Sequence, residues 1–490
     1  MKITQRRVVQ AADGLGGDLS LVSFISGQLE QNPQLAPPLA MAIAAIAGLP
    51  VADREKILGQ VARNPDLAAE LIAGSLDPLG KDIVADEHLI NHVVHHEATG
   101  EVKARALSTY KLPGLEEVDT EEICFLREHV TVDEYTHPTP LNAAQLAKLI
   151  TDHDGPLDGI YCFLEPVDEQ VIDAAAKKGV KWICSCGTGH DNKNKPYAEE
   201  KGIQLTNAPG ALMHTVSETA LALTLTGVLN LPEWIDQTHR GRQTGCSMTW
   251  GRHEDLQGKN VVIVGGGDVG FETAKRIIPF LPNVSGEGSI TIVDPKPKLA
   301  DEKKAVLAGF FDSTYKGLAV AHPDEAVKKG ENPVSFKTEL DDETLATADV
   351  VILSPALIKE SDLTAEAKAA GFKPTEGMVN AEVLSKMKKT ALLVNIARGP
   401  LVVEEDVEQA LRTHAIGGYV TDVLINEWVR PDRLYEAAAE GGTLFYCSGH
   451  IASNSRATRD GNMTGRMLAN SIQIINGERP LNPVNKPNTQ

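Results

Sequence analysis

The chain has 490 residues, 42% of them hydrophobic, and 47 Lys and Arg residues stand against 67 Asp and Glu residues. At about 150 residues per domain, this length predicts roughly three domains with ample cores, which excludes collagen-like, disordered and small disulfide-stabilised proteins. The formal net charge of −20 repels phosphate backbones and anionic lipid surfaces. We therefore expect neither a nucleic acid nor a membrane as a partner.

The N-terminal residues and the cysteines bear on the cellular compartment. Met1–Arg7 are not followed by the sustained apolar stretch of a secretory signal, and prolines interrupt the apolar run at 35–51. Cys184 and Cys186 are separated by one residue, which is not the spacing of a zinc knuckle or a redox pair. We expect a soluble, cytoplasmic protein with reduced thiols.

A repeat occupies the N-terminal region. The sequence GQLEQNPQLA at 27–36 returns 32 residues later as GQVARNPDLA at 59–68. Both copies continue into Ala- and Leu-rich sequence with helical spacing, and each Asn-Pro pair places a cap before a first-turn proline. This pattern predicts a helical domain over residues 1–110. Two repeats are fewer than a stable array needs, so we expect this domain to dock onto the main body, a second subunit or another protein.

Three histidines follow the repeats. His88, His92 and His96 recur at four-residue spacing, so a helix would place them on one face. Imidazoles can bind metals, but no carboxylate or cysteine pair completes a recognisable ligand set here. We interpret the three residues as a polar helix face and predict no metal site.

From about Glu121 onward, apolar runs and helical patterns alternate, which is typical of a parallel sheet with helical crossovers. Strands are predicted at 122–126, 159–164 and 180–185, and helices at 143–152 and 168–178. A long linking helix is predicted over 215–231, opened by the cap residues Thr215, Ser217 and Glu218.

A glycine motif then indicates a dinucleotide site. The apolar strand Asn260–Val264 runs into Gly265, Gly267 and Gly270, after which a helical pattern begins. Such glycines let the backbone approach a pyrophosphate at a helix N-terminus. Asp294 ends the next strand, 24 residues after Gly270, where a carboxylate binds the ribose hydroxyls and repels a 2′-phosphate. The sequence therefore favours NAD over NADP by about three to one, with Lys296 and Lys298 leaving NADP open.

Several further motifs occur in a characteristic order. They are Gly187–Asn192, Asn207–Gly210, the glycine loop, Asn395–Gly399, Asp422, Glu427 and His450. In these residues the chain resembles the D-isomer-specific 2-hydroxyacid dehydrogenases, over roughly residues 121–487. The resemblance implies an α/β fold in which a Rossmann-type NAD-binding domain (215–453) is inserted in a flavodoxin-like substrate domain (111–214 and 454–490), with the α-helical N-terminal domain preceding both.

The resemblance also implies an oxidoreductase that transfers a hydride between NAD(H) and a small D-2-hydroxy acid or 2-keto acid. Arg398 would anchor the substrate carboxylate and polarise its carbonyl with a planar donor fork. His450 would exchange the proton, and Glu427 would orient its imidazole. These residue types also suit the chemistry by themselves, because a 2-keto acid needs a cation and a proton donor when hydride arrives.

The family likeness extends to the binding residues. The substrate would contact Thr188, Gly189 and Arg398. The cofactor would contact Gly265, Gly267, Asp268, Val269, Gly270, Asp294, Ser354, Pro355, Ile396, Ala397, Arg398 and Asp422, with the Asp422 carboxylate meeting the carboxamide. His190 is interpreted as a packing or specificity side chain. The helix from Thr215 resembles the segment through which these enzymes form homodimers.

Two alternatives stay open at this point. The first is a catalytically vestigial NAD-sensing protein whose repeat region recruits partners, since a fold does not fix a function. The second is oxidation of formate or phosphite on the same scaffold. Formate is disfavoured because that branch is expected to have glutamine where Glu427 stands. Extended segments at 296–340 and 359–377 belong to the cofactor domain, where we expect them to reshape either the adenosine end of the site or a subunit contact.

Overall fold

The computed structural model describes residues 93–112, 120–135, 140–239, 254–295, 300–331, 333–369, 371–427, 429–455 and 457–487. The chain divides into two units, Met1–His92 with Trp428–Pro431 and Val93–Glu427 with Asp432–Gln490, and both sheets described below belong to the second. The repeats, His88 and His92 lie outside the described residues. His96 lies in a strand, so the predicted helical face is wrong at that residue.

The first sheet has six strands among the described residues. They are β1 (Val93–His96), β2 (Ala104–Ser108), β3 (Val130–Tyr135), β4 (Gly159–Cys162), β5 (Trp182–Ser185) and β6 (Gln204–Thr206). Their order is β1-β3-β2-β4-β5-β6, and β1 is antiparallel to β3 while the other neighbours are parallel. Strands β1 and β2 lie before residue 111 and belong to this sheet. The helical structure expected up to residue 110 is therefore wrong at these two strands, and the substrate domain begins before residue 111.

Short helices connect these strands and cover the sheet. They are α1 (Glu121–His129), α2 (Ala143–Asp152), α3 (Glu169–Lys178) and α4 (Lys195–Glu200). The predicted helices at 143–152 and 168–178 are confirmed, with Asn142 and Asp168 as their N-caps.

The strand predicted at 122–126 is wrong, because α1 occupies these residues. The Thr120 hydroxyl accepts a hydrogen bond from the backbone N–H of Ile123 at 3.3 Å, which caps the helix. Ile123 and Leu126 are both buried and stand three residues apart, the spacing of one helix face. A four-residue apolar run does not by itself distinguish a buried strand from a helix.

The second sheet has seven strands among the described residues, and all its neighbours are parallel. The strands are β7 (Asn260–Val264), β8 (Ser289–Val293), β9 (Val334–Lys337), β10 (Val350–Leu353), β11 (Leu392–Asn395), β12 (Gly418–Thr421) and β13 (Leu444–Cys447). Their order is β13-β12-β11-β10-β7-β8-β9. The chain leaves β7 for β8 on one side and later returns to β10 on the other, which opens a crevice at the carboxyl end of β7.

Helices lie on both faces of this sheet and in its connections. They are α5 (Met213–Val228), α6 (Leu231–His239), α7 (Asp268–Ile277), α8 (Ala300–Ala321), α9 (Asp342–Thr347), α10 (Ala365–Ala369), α11 (Ala381–Lys386), α12 (Glu404–Arg412) and α13 (Asp432–Gly441). Apolar side chains of α7 and α8, such as Ile277 and Phe311, pack in one cluster with Ile263 and Ile292 of the strands. The alternate strand residues Val262 and Val264 pack in a second cluster with Leu384 of α11 and Val407 of α12, so both faces of the parallel sheet are buried, as parallel strands require.

The linking helix differs from the prediction in its bounds and its cap. It begins at Met213, its N-cap residue Leu212 makes no side-chain hydrogen bond, and buried Ser217 donates to the carbonyl of His214 at 2.8 Å. Asn230 has a left-handed φ of 49°, a conformation that ends helices. The helix expected over 215–231 is therefore confirmed as α5 up to Val228, and a second helix, α6, begins at Leu231.

The C-terminal part returns to the first sheet. Helix α14 (Thr464–Ile475) follows a π-helix at Ala457–Met463. Its Met467 and Leu468 are fully buried in one cluster with Leu126 of α1 and Trp182 of β5. The described residues contain no helix that is long and apolar enough to cross a membrane.

Candidate active site

The motifs of the second sheet meet at its carboxyl edge. Because neighbouring parallel strands end side by side, the loops that follow β8, β7, β10, β11, β12 and β13 form one continuous row. These loops carry, in the same order, Asp294, the glycine loop, Ser354, Arg398, Glu427 and His450. Residues that are up to 185 positions apart in the sequence are therefore brought to a single edge.

The glycine loop has the geometry that a bound dinucleotide needs. Gly265 has φ +102°, and a Cβ on Gly270 would lie 1.9 Å from the carbonyl oxygen of Gly265. Gly267 is the N-cap of α7 without a side-chain hydrogen bond, and a Cβ there would meet nothing within 4 Å. The first N–H groups of α7 thus have no side-chain cap, which leaves them suited to a phosphate. The residues present fit a nicotinamide dinucleotide.

Asp294 and Ser354 lie against this loop. The backbone N–H of Gly266 donates to Oδ2 of Asp294 at 2.8 Å, so the carboxylate is held beside the glycines at the end of β8. The Ser354 hydroxyl donates to the carbonyl of Gly265 at 3.3 Å, and a Cβ on Gly265 would lie 2.7 Å from the nitrogen of Pro355. Asp294, Ser354 and Pro355 therefore all lie next to the glycine loop.

Arg398 follows β11 and reaches the first sheet. Fully buried Asn395 fixes the turn, since its amide donates to the carbonyl of Arg398 at 2.8 Å and its amide oxygen accepts from the N–H of Ala397 at 3.1 Å. The guanidinium donates through Nε to Oδ1 of Asp191 at 3.1 Å and through Nη1 to the carbonyl of Ala397 at 2.8 Å. A Cβ on Gly189 would lie 1.5 Å from Nη2 of Arg398, so only glycine admits the guanidinium there.

The loop that holds Gly189 and Asp191 follows β5. The Thr188 hydroxyl donates to the carbonyl of Ala208 at 3.1 Å, and the Asn207 amide donates to the carbonyl of Thr188 at 2.7 Å. These bonds join the Gly187–Asn192 and Asn207–Gly210 motifs. Partial burial would raise the pKa of Asp191, but the Arg398 guanidinium outweighs it and holds that pKa below its usual range. The carboxylate therefore stays charged as a fixed counter-ion of Arg398.

His190 lies in the same loop. Its Nδ1 is 3.2 Å from Nζ of Lys195, and burial together with this ammonium lowers the pKa of the imidazole. The side chain is therefore neutral at pH 7.

His450 and Glu427 form a pair. Nδ1 of His450 lies 2.8 Å from Oε2 of Glu427, and the two side chains are 24% and 30% exposed. Gly449 and His450 both have left-handed backbone conformations, with φ values of 77° and 57°. A non-glycine residue rarely adopts this conformation, and such strain is typical of functional loops.

Asp422 holds the loop that carries His450. Its side chain is 1% exposed. Oδ1 accepts hydrogen bonds from the Ser448 hydroxyl at 2.6 Å and from the Ile451 N–H at 2.9 Å, and Oδ2 accepts from the Ala452 N–H at 3.1 Å. The family likeness predicts that this carboxylate meets the cofactor carboxamide, and the structure gives it three partners within the protein.

Comparison with known proteins decides the family. Residues 114–485 match the family model described as D-isomer specific 2-hydroxyacid dehydrogenase, catalytic domain. The chain belongs to this family. It is therefore an oxidoreductase that transfers a hydride between a nicotinamide cofactor and a 2-hydroxy or 2-keto acid, and its second sheet is the Rossmann-type nucleotide-binding sheet.

Individual relatives are distant but cover most of the dehydrogenase. The chain is 27% identical to the glyoxylate reductase of Thermococcus onnurineus (strain NA1) over 392 residues, which are 79% of this chain and 97% of that protein. It is 26% identical to the glyoxylate reductase/hydroxypyruvate reductase of Homo sapiens over 294 residues, 60% of this chain and 73% of that protein. The crystal structure of the TT0316 protein from Thermus thermophilus is similar with a TM-score of 0.57 and 27% identity, covering 78% of this chain and 99% of that one.

Two residues of the dehydrogenase site were not assigned a role from the sequence. Asp191 is part of a quoted motif, but its partner Arg398 lies 207 positions away, so the motif alone did not reveal the pair. Ser448 stands close to His450 in the sequence, and its contact with Asp422 spans 26 positions. No group of three or more His, Cys, Asp or Glu side chains in the described residues could hold a metal ion.

Proposed function

We propose that this dehydrogenase interconverts a small D-2-hydroxy acid and its 2-keto acid, with Arg398 as the substrate anchor and His450 with Glu427 as the acid–base pair. The observation that carries the proposal is the 2.8 Å contact between Nδ1 of His450 and Oε2 of Glu427. A carboxylate on Nδ1 orients the ring and stabilises the imidazolium that forms, so Nε2 is the atom that exchanges a proton with the substrate.

In the reducing direction, a bound nicotinamide would supply a hydride to the carbonyl carbon of the 2-keto acid. The guanidinium of Arg398 binds the substrate carboxylate and polarises the carbonyl oxygen. Its Nη2 lies over Gly189, next to the backbone N–H groups of Thr188 and Gly189 that would complete the carboxylate site. Nε2 of His450 then gives its proton to the forming alkoxide, which yields the hydroxy acid, and Glu427 holds the ring throughout.

For the cofactor we propose NAD(H) as the preferred dinucleotide. The Asp294 carboxylate would accept hydrogen bonds from the ribose hydroxyls and disfavour a 2′-phosphate. The pyrophosphate would lie on the first N–H groups of α7 at Asp268 and Val269, over Gly265, Gly267 and Gly270. The nicotinamide end would contact the remaining loops of the same edge at Ser354, Pro355, Ile396, Ala397 and Asp422.

For the substrate we propose a small polar acid such as glyoxylate or hydroxypyruvate. Support comes from the relatives, whose names include glyoxylate reductase and hydroxypyruvate reductase. We further propose a cytoplasmic homodimer formed through α5, a protein partner for the N-terminal region that precedes β1, and no role for nucleic acid or membrane.

The test is the oxidation of NADH and NADPH, followed by absorbance, with a panel of 2-keto acids. We expect turnover of the wild type and a loss of about 10²-fold or more in His450→Ala and in Arg398→Ala. His322→Ala and Arg433→Ala remove side chains of the same types that pair with Glu325 and Glu408, and we expect both to retain activity. Cofactor binding without turnover on any acid would favour the sensing protein, and turnover of formate or phosphite would favour the second alternative.

A further inference from the structure

Helix α8 places a lysine on the glycine loop. Nζ of Lys303 donates to the carbonyl oxygen of Gly266 at 2.7 Å. The same ammonium lies 5.2 Å from the centroid of the Phe271 ring, which fixes the direction of the side chain through a cation–π contact. Lys303 is the fourth residue of α8, and α8 belongs to the extended 296–340 segment, for which the sequence predicts a role at the adenosine end of the site or in a subunit contact. This segment thus delivers a cation to the dinucleotide site.

Lys303 binds the carbonyl of Gly266, and the carboxylate of Asp294 binds the N–H of the same residue. Its N–H donates to Oδ2 of Asp294 at 2.8 Å, and a Cβ on Gly266 would lie 3.1 Å from Cβ of Asp294. An acidic and a basic side chain are thus bound to the N–H and the C=O of one residue. In dinucleotide-binding folds the adenosine ribose lies at the end of the second strand, where an acid binds the 2′-hydroxyl and a nearby cation accommodates a 2′-phosphate.

We propose that Lys303 is a cofactor-binding residue that accommodates the 2′-phosphate of NADP(H) beside Asp294, so that the site takes NADP(H) as well as NAD(H). This inference rests on the proposed function, which assigns the dinucleotide to the glycine loop. The ammonium offsets the repulsion between the Asp294 carboxylate and a 2′-phosphate. A lysine is suited to this task because its flexible stem lets the charge move from the Gly266 carbonyl to a phosphate oxygen while the stem stays near Phe271.

Lys275 provides a matched control for Lys303, because it also lies near the Phe271 ring. Its Nζ lies 5.7 Å from the Phe271 centroid, but it pairs with Oε1 of Glu272 at 2.7 Å. It therefore shares the contact with Phe271 and lacks the contact with Gly266. Replacing each lysine by methionine removes the charge and keeps an unbranched apolar side chain near the ring.

The experiment measures dissociation constants of NADPH and NADH by fluorescence titration of the full chain, without substrate. We expect Lys303→Met to weaken NADPH binding by about tenfold or more and NADH binding by less than about twofold, because one charge-assisted contact to the extra phosphate is lost. Lys303→Arg keeps the charge and is expected to keep most of the NADPH affinity. Lys275→Met is expected to change neither constant. The 2′-phosphate probe 2′,5′-ADP should compete well with wild type and poorly with Lys303→Met.

The possible results distinguish a failure of the role of Lys303 from a failure of the proposed function. Equal weakening of NADPH and NADH in Lys303→Met would mean that Lys303 only supports the Gly266 carbonyl, which overturns the inference and leaves the dinucleotide site intact. Wild type that binds neither dinucleotide would overturn the proposed function and this inference with it. If Lys303→Met fails to fold, the test uses the wild type at several salt concentrations. A cationic contact to the 2′-phosphate makes the affinity for NADPH fall more steeply with salt than the affinity for NADH. An equal salt dependence of the two affinities would overturn the inference.

Discussion

Arg398 and His450 follow strands of one sheet, but the protein holds them differently. The Arg398 corner, which we define as Arg398, Asp191 and Gly189, joins the two sheets through a charge pair and a close contact. The His450 loop, defined as residues 448–452, is held within one sheet by the buried Asp422 carboxylate and by left-handed backbone conformations.

This difference indicates that the two regions control different steps. A shift of the Arg398 corner changes where the substrate carboxylate binds, so it should alter mainly KM and kcat/KM. A shift of the His450 loop changes where the proton donor lies when the substrate is already bound, so it should alter mainly kcat. Three substitutions outside the proposed catalytic residues would sharpen or break this comparison.

Gly189→Ala should have the largest effect. A Cβ would lie 1.5 Å from Nη2 of Arg398, so the guanidinium must leave its position, and we expect kcat/KM for the keto acid to fall by about 10²-fold. The matched control is Gly187→Ala in the same loop, where a Cβ would meet only the Ser185 hydroxyl at 3.9 Å. Steady-state kinetics of both variants would check this, and equal losses would mean that the Arg398 contact is not what makes glycine necessary.

Asp422→Asn should have the next largest effect. The amide group faces the donors Ser448, Ile451 and Ala452, so at least one hydrogen bond becomes a donor–donor contact in a buried site. We expect kcat to fall by about 30-fold and the free energy of unfolding by about 2 kcal/mol. Ser448→Ala removes one of the three bonds and should give a smaller loss. An unchanged kcat with weaker NADH binding would instead assign Asp422 to the cofactor carboxamide alone.

Asp191→Asn should have the smallest effect. It removes the charge beside Arg398 and keeps the shape, so we expect KM to rise by about tenfold with a smaller change in kcat. Asp173→Asn, at a surface acid that pairs with Lys201, is the control and should leave KM unchanged. A change in kcat alone would show that the Arg398 corner does not act through substrate binding.

The effect of Asp191→Asn on the free energy of unfolding should depend on pH, and the direction of this dependence follows from the pKa of Asp191. The pKa of Asp191 is below its ordinary value of 3.8 in the folded protein, so its ionised form stabilises the fold above that value. The side chain is about one-third exposed, and screening limits the contribution to about 0.5–1 kcal/mol. Chemical denaturation of wild type and Asp191→Asn should differ by this amount at pH 7. The difference should shrink as the pH falls below 3.8 through the lowered pKa.

The sequence predicts an element well where the interactions that form it lie within a few residues along the chain. The helices at 143–152 and 168–178 are predicted well because the caps Asn142 and Asp168 and the apolar spacing act within a few residues. The segment 122–126 resembles a strand in its sequence because four apolar residues are compatible with either structure. Spacing alone places His96 on a helix, whereas pairing with the distant strand β3 makes it part of β1.

The candidate site shows the same division. By itself the sequence predicted the glycine loop and its acid Asp294, because these belong to a short motif whose chemistry depends on neighbouring residues, and its resemblance to the family pointed to Arg398, Glu427 and His450. Only the tertiary structure decided that Asp191 meets Arg398, that Asp422 holds the His450 loop and that Lys303 reaches Gly266. The physical reason is that these contacts join segments 26 to 207 residues apart, and strand order and helix packing bring such segments together.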